Sequence, residues 1–219
     1  AILLEQPMDK IMTMVLFATI KKEAAEVVSR EPLELKITDP LVEDLRPYEK
    51  EFLEAFRLPK GKERQKALEE TMVSLVRSVA QKMKGFSRRE TVEYYRDIMK
   101  RAWAEVEAAE TPEVKSAKYE EVMEWTMLDR DYDRRTRDVF RTGPVYVPVW
   151  WGRFDPGFGR STASSAPIST SAPSLPRGGP TGGATLPSLP GGSFAASLAG
   201  GVQNVSSQVV GSVTDFTSR

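Results

Sequence analysis

The chain has 219 residues, with 31 Lys+Arg against 31 Asp+Glu and a formal net charge of zero. It contains no His and no Cys, which excludes thiol chemistry, disulfides, Cys/His zinc sites and every mechanism that runs through imidazole. Residues 1–142 hold 27 of the basic and 29 of the acidic residues, while residues 143–219 hold four Arg and two Asp among abundant Pro, Gly, Ser and Thr. The first part can fold, whereas the second buries too little apolar surface to offset its ordering entropy.

In chain order, Ala1-Ile2-Leu3-Leu4 reads as the end of a buried helix. No run of about 20 apolar residues and no secretory signal is visible, so any membrane anchor is expected upstream. Pro7 opens a helix whose apolar face includes Ile11, Met14, Val15 and Ala18, widened by Leu16, Phe17 and Ile20. Val27 and Val28 start an extended run that Arg30-Glu31-Pro32 breaks. Leu33, Leu35 and Ile37 alternate with Glu34, Lys36 and Thr38 as a half-buried strand. Pro47 opens a further helix with Tyr48, Phe52, Ala55 and Phe56 on one face. Residues 1–58 thus predict a winged-helix-like unit.

Residues 59–142 predict an antiparallel helical bundle. Leu68, Met72, Leu75, Val76, Val79 and Met83 form one stripe, and Gly85 ends that helix. Ser87 with Glu90 has the capping-box spacing that starts the next, in which Val92, Tyr95, Met99, Ala102 and Val106 share a face beside Trp103. Thr111-Pro112-Glu113 is another start signal, and Val114, Ala117, Val122, Trp125, Leu128 and Tyr132 carry that helix to about Arg141. Short loops favour antiparallel neighbours. The fold class is therefore mainly α.

Residues 143–160 predict an extended aromatic arm. Its prolines rule out a central strand. Tyr146, Trp150, Trp151, Phe154 and Phe158 are too costly to leave in water, so they are expected to dock, on this domain or on a partner. Residues 161–192 read as a disordered linker. In residues 193–219 the apolar positions Phe194, Leu198, Val202, Val205, Val209, Val213 and Phe216 step by four, four and three, twice. That is an 11-residue period, which as a helix gives one apolar stripe and favours a right-handed supercoil. Gly and Val make such a helix marginal alone, so three readings stand: a helix ordered at a membrane interface, a helix ordered on a partner or a second copy, and a disordered segment whose periodicity is accidental, with β-pairing as a minor variant.

Three further patterns in the sequence admit a functional and a structural explanation. A DNA-reading winged helix would use Lys10, Lys21 and Lys22, with Arg30 and Lys36 in the wing, but Asp9, Glu23, Glu26, Glu31 and Glu34 offset them. Asp129-x-Asp131-x-Asp133 starts like a calcium loop but has Arg134 and Phe140 where Gly and Glu are needed, so salt bridges to neighbouring arginines are expected instead. Trp103 and Trp125 lie on apolar stripes and are expected in the core.

Ile11 to Ile37 together with Leu41-x-x-x-Leu45-Arg46-Pro47-Tyr48-Glu49 resembles the C-terminal cytosolic region of bacterial predicted membrane proteins of unknown function. The run Val145-Tyr146-Val147-Pro148-Val149-Trp150-Trp151 and the Phe194–Phe216 tail are similar to those of uncharacterised bacterial proteins. The resemblance implies a winged-helix-like module, membrane proximity and a cytoplasmic location at the inner membrane face. It brings no catalytic residue, metal or cofactor. The expectation is a non-enzymatic interaction or scaffold module that docks through the arm and tail onto a protein or a second copy, with a membrane surface as an alternative and no small-molecule substrate. A DNA-binding regulator and a carboxylate-based enzyme are the rival readings.

Overall fold

The computed structural model describes residues 1–30, 32–141, 144–155 and 188–190. Phe158, nearly all of the expected linker and the repeat tail lie outside these residues.

The chain is mainly helical with a small antiparallel hairpin. Ile2–Leu4 form a 3-10 turn, not the end of a buried helix, and their side chains are only half-buried. Helix α1 (Met8–Lys21) follows Pro7 and runs through the centre, burying Ile11, Met12, Val15, Leu16, Phe17 and Ile20. Strands β1 (Ala25–Arg30) and β2 (Leu33–Ile37) pair antiparallel, with an irregularity between Val27 and Ser29. Val27 points into the core while Val28 faces solvent. Helix α2 (Pro47–Arg57) begins at its proline, and its Glu49 carboxylate accepts from the Arg46 backbone N–H at 2.8 Å, which ties down the first turn.

Helix α3 (Lys62–Lys82) packs on α2, and helix α4 (Arg88–Glu107) packs on α5 (Pro112–Thr126). The ring pairs Trp103–Tyr119 and Tyr95–Trp125 set α4 and α5 antiparallel. Two caps work as the spacing predicts: the Ser87 hydroxyl accepts from Glu90 N and the Thr111 hydroxyl from Val114 N, each at 3.3 Å.

The last helix does not run unbroken to Arg141. It stops at Thr126 and resumes as α6 (Tyr132–Val139). The Asp129 carboxylate accepts from Asp131 N at 2.9 Å, a local bond that competes with the helical ladder. The apolar stripe survives the break because Leu128, in the turn, and Tyr132, on α6, are both buried.

The arm is not uniformly extended. It contains strand β3 (Pro144–Tyr146) and a single helical turn, α7 (Trp151–Phe154). β3 pairs antiparallel with β4 (Ser188–Pro190), so three residues of the expected linker form a strand. One hydrophobic cluster unites α1, the hairpin, α2, Leu68 and Met72 of α3, the C-terminal half of α4, α5, α6 and the arm, crossing residue 58 without a break. Among the described residues no helix is long and apolar enough to cross a membrane.

Candidate functional site

The aromatic arm docks inward. Trp151 and Phe154 are fully buried and Trp150 nearly so. Phe154 meets Phe17 of α1 edge-on at 4.7 Å and Trp151 at the same distance, and Trp150 lies 5.8 Å from Phe17. Such tilted and edge-on contacts add to the burial of large rings. Ion pairs at the arm's end fasten it: Arg30 to Asp155 at 2.6 Å and Arg153 to Glu23 at 2.7 Å. At its start, the Ser116 hydroxyl accepts from Tyr146 N at 3.1 Å. The Tyr146 hydroxyl donates to Glu113 at 2.6 Å, which raises the tyrosine pKa and lowers that of the carboxyl. The surface that Tyr146, Trp150, Trp151 and Phe154 dock on is therefore their own domain. Phe158 and the tail positions Phe194, Leu198, Val202, Val205, Val209, Val213 and Phe216 lie outside the described residues.

The cations expected on a DNA-reading unit are engaged internally. Lys10 donates to the Asp129 carbonyl at 2.6 Å, and burial lowers its pKa. Lys21 reaches the Glu120 carbonyl at 3.4 Å, and Lys22 pairs with Glu49 at 2.9 Å. Arg30 is held by Asp155, and Lys36 by Glu26 at 3.7 Å. The eight buried residues of α1 leave no broad face for a nucleic-acid groove. The acids of the loop before α6 are tied to arginines, Asp129 to Arg135 at 3.1 Å and Asp131 to Arg134 at 2.9 Å. Among the described residues no group of three or more acids is placed to hold a metal ion.

The residues left open to solvent lie elsewhere. Val73 and Val76 on α3, Phe86 in the α3–α4 turn and Tyr94 on α4 are all exposed. Val76 thus leaves the stripe to which its spacing assigned it. Trp125, expected in the core, is 37% exposed and stacks on Tyr95 at 6.2 Å. Tyr94 meets Tyr95 edge-on at 5.5 Å, so Tyr94, Tyr95 and Trp125 form a row across α4 and α5. Trp103 is fully buried as expected, with the Arg135 guanidinium 4.7 Å from its ring centroid.

At the start of α4 a shallow hollow of about 390 Å³ is lined by Arg88, Arg89, Val92, Glu93 and Arg96. Arg88 bonds Glu5 at 2.6 Å. That hydrogen bond and its charge, followed by the charges of Arg130 and Arg96, hold the Glu5 carboxyl below its ordinary pKa. Five basic residues and no acidic one fall between Thr71 and Arg89.

No protein-family model, curated protein or solved structure matches the chain.

Proposed function

We propose that the chain is a non-enzymatic interaction or scaffold module of a membrane-associated assembly. The observation that supports this most is the row Tyr94–Tyr95–Trp125 beside the exposed Val73 and Val76. These are large apolar side chains held on helices rather than on flexible loops. Aromatic anchors on rigid elements are what interface cores are built from. The order α1, β1–β2, α2 is compatible with a winged-helix-like unit used as architecture, since its lysines are already committed inside the domain. In this reading the Phe194–Phe216 repeat is a second, tethered contact. A tether raises effective concentration, so two weak contacts can act together.

A photo-crosslinking residue placed at Tyr94, in the native cell, tests the partner contact against the same residue placed at Val28. A discrete adduct at position 94 that is absent at position 28 is expected, and it should disappear when Trp125 is replaced by Glu. Equal crosslinking at both positions, or none at 94, removes the α4–α5 face as an interface. Sedimentation of the purified chain over a wide concentration range then says whether that adduct is a second copy.

A further inference from the structure

We infer that the tip joining α3 to α4 is a docking point for an anionic lipid surface, with Phe86 as the inserting side chain and Lys82, Lys84, Arg88 and Arg89 as its cationic collar.

Every residue from Ala80 to Glu90 is exposed except Met83, which is half-buried, so the core does not cover this segment. Phe86, at 69% exposure, is the most exposed aromatic ring among the described residues. It is held there by the turn. Gly85 adopts φ 86°, a left-handed conformation that favours glycine, and Phe86 N donates to the Met83 carbonyl at 3.0 Å. A phenylalanine fixed at an apex in water loses hydration cost when it enters an apolar medium.

The charged residues that flank Phe86 most closely in the chain are basic. Lys82 and Lys84 lie on the α3 side, and Arg88 and Arg89 open α4. Among the described residues Lys82, Lys84 and Arg89 form no ion pair, and Arg88 is tied to Glu5. Glu90 stands in the first turn of α4 and Glu93 one turn on, so the four cations outnumber the nearest acids without being free of them. The first turn of α4 adds the positive end of a 20-residue helix, which favours phosphate oxygens.

The exposed ring favours lipid over other polyanions. Phosphate contacts to a duplex need only the cations, whereas an acyl layer also takes up the phenylalanine. Interfacial binding then combines apolar burial with attraction to anionic headgroups. Lipid contact at the tip is independent of any protein contact on the Tyr94–Trp125 face.

The test uses the full chain and flotation with vesicles of phosphatidylcholine alone or mixed with phosphatidylglycerol. Binding is expected only with the anionic lipid, and it should weaken as salt is raised. The Lys82→Gln/Lys84→Gln/Arg89→Gln variant should lose roughly a hundredfold in vesicle affinity, since each cation near an anionic surface contributes about fivefold. Because the chain has no cysteine, Phe86→Cys carries a single environment-sensitive dye. That dye should shift to the blue on anionic vesicles, a readout that binding through the Phe194–Phe216 segment alone would not move. Circular dichroism confirms that each variant is folded. Unchanged affinity in the charge variant, or a silent dye on vesicles that do bind the chain, overturns the proposal. Equal binding to a DNA duplex, lost in the charge variant but indifferent to Phe86→Ala, assigns the tip to polyanions in general and also overturns it.

Discussion

Glu23 occupies a backbone position that usually belongs to glycine. It follows α1 with φ 60°, and the bonds Glu23 N to Ile20 O and Ala24 N to Thr19 O close a Schellman motif around it. A left-handed conformation costs a non-glycine residue about 1 kcal/mol. Its side chain reaches Arg153 on the arm, but both partners are substantially exposed and such a pair contributes little. Glu23→Gly is therefore expected to stabilise the protein by up to about 1 kcal/mol in urea titration, and a destabilised variant would show that the clasp on the arm outweighs the strain. A second residue-scale effect comes from the buried hydroxyl pair Tyr119 and Tyr132, whose oxygens are 2.7 Å apart. Burial pushes the Tyr119 phenol up to about 12 and raises Tyr132 as well. Below about pH 10 both folded and unfolded chains keep these protons, so stability does not change with pH through them. Between pH 10 and the folded values the unfolded chain ionises first, and stability falls as pH rises. For Tyr119 alone the full loss is about 2–3 kcal/mol. Urea midpoints taken through this range should fall, and Tyr119→Phe should flatten the decline.

The helices differ in how much of their length the core supports. In α3, Leu68, Thr71 and Met72 are buried, but beyond Met72 no residue is. In α4 the pattern reverses, with burial only from Ala102 onward. Helical stability in proteins comes mainly from a packed face, so the unburied ends should open locally at much lower cost than the rest. Amide hydrogen exchange should find weak protection over residues 76–95 and strong protection in α1. Uniform protection along α3 and α4 would mean that the projecting ends are held by something more than their own turns. This contrast also explains what the sequence made legible. Pro47, Ser87, Thr111 and Gly85 announce starts and stops through local bonds, and the helix boundaries fall beside them. Val76 and Trp125 were misplaced because a periodic stripe gives the direction of a face but not whether a neighbour covers it. The break after Thr126 was hidden because Leu128 and Tyr132 keep the stripe in register across a non-helical turn. The rings of the arm were recognisably bound to dock, but their partner, Phe17, lies more than a hundred residues away, and no local pattern encodes that meeting. At the tip, the basic run was legible and the exposure of Phe86 was not, because exposure depends on where the core ends.

At the scale of the whole molecule, the arm returns to the first helix and closes one core. Phe17 of α1 is covered by Trp150, Trp151 and Phe154, and Val145 and Val147 are buried with them. Burying a large apolar side chain contributes roughly 1.5–3 kcal/mol, so these five together supply about 10 kcal/mol, as much as the entire net stability of a typical domain. The core also includes residues of α2 and α3 and of α1, α5 and α6, and Lys10 and Gln6 hydrogen-bond the Asp129 and Leu128 carbonyls of the turn between α5 and α6. Residues 1–58 and residues 59–142 share one hydrophobic cluster, so each is expected to lose its enclosure when separated. A chain of residues 1–155 is expected to melt in one cooperative transition followed by far-ultraviolet and near-ultraviolet circular dichroism. Chains 1–58 and 59–142 should show no cooperative melt, and a chain cut after residue 141 should be unfolded or nearly so at 37 °C, where a marginal domain cannot spare about 10 kcal/mol. A sigmoidal melt from residues 1–58 alone would instead make the hairpin unit autonomous and reduce the arm to a strap laid over a finished fold.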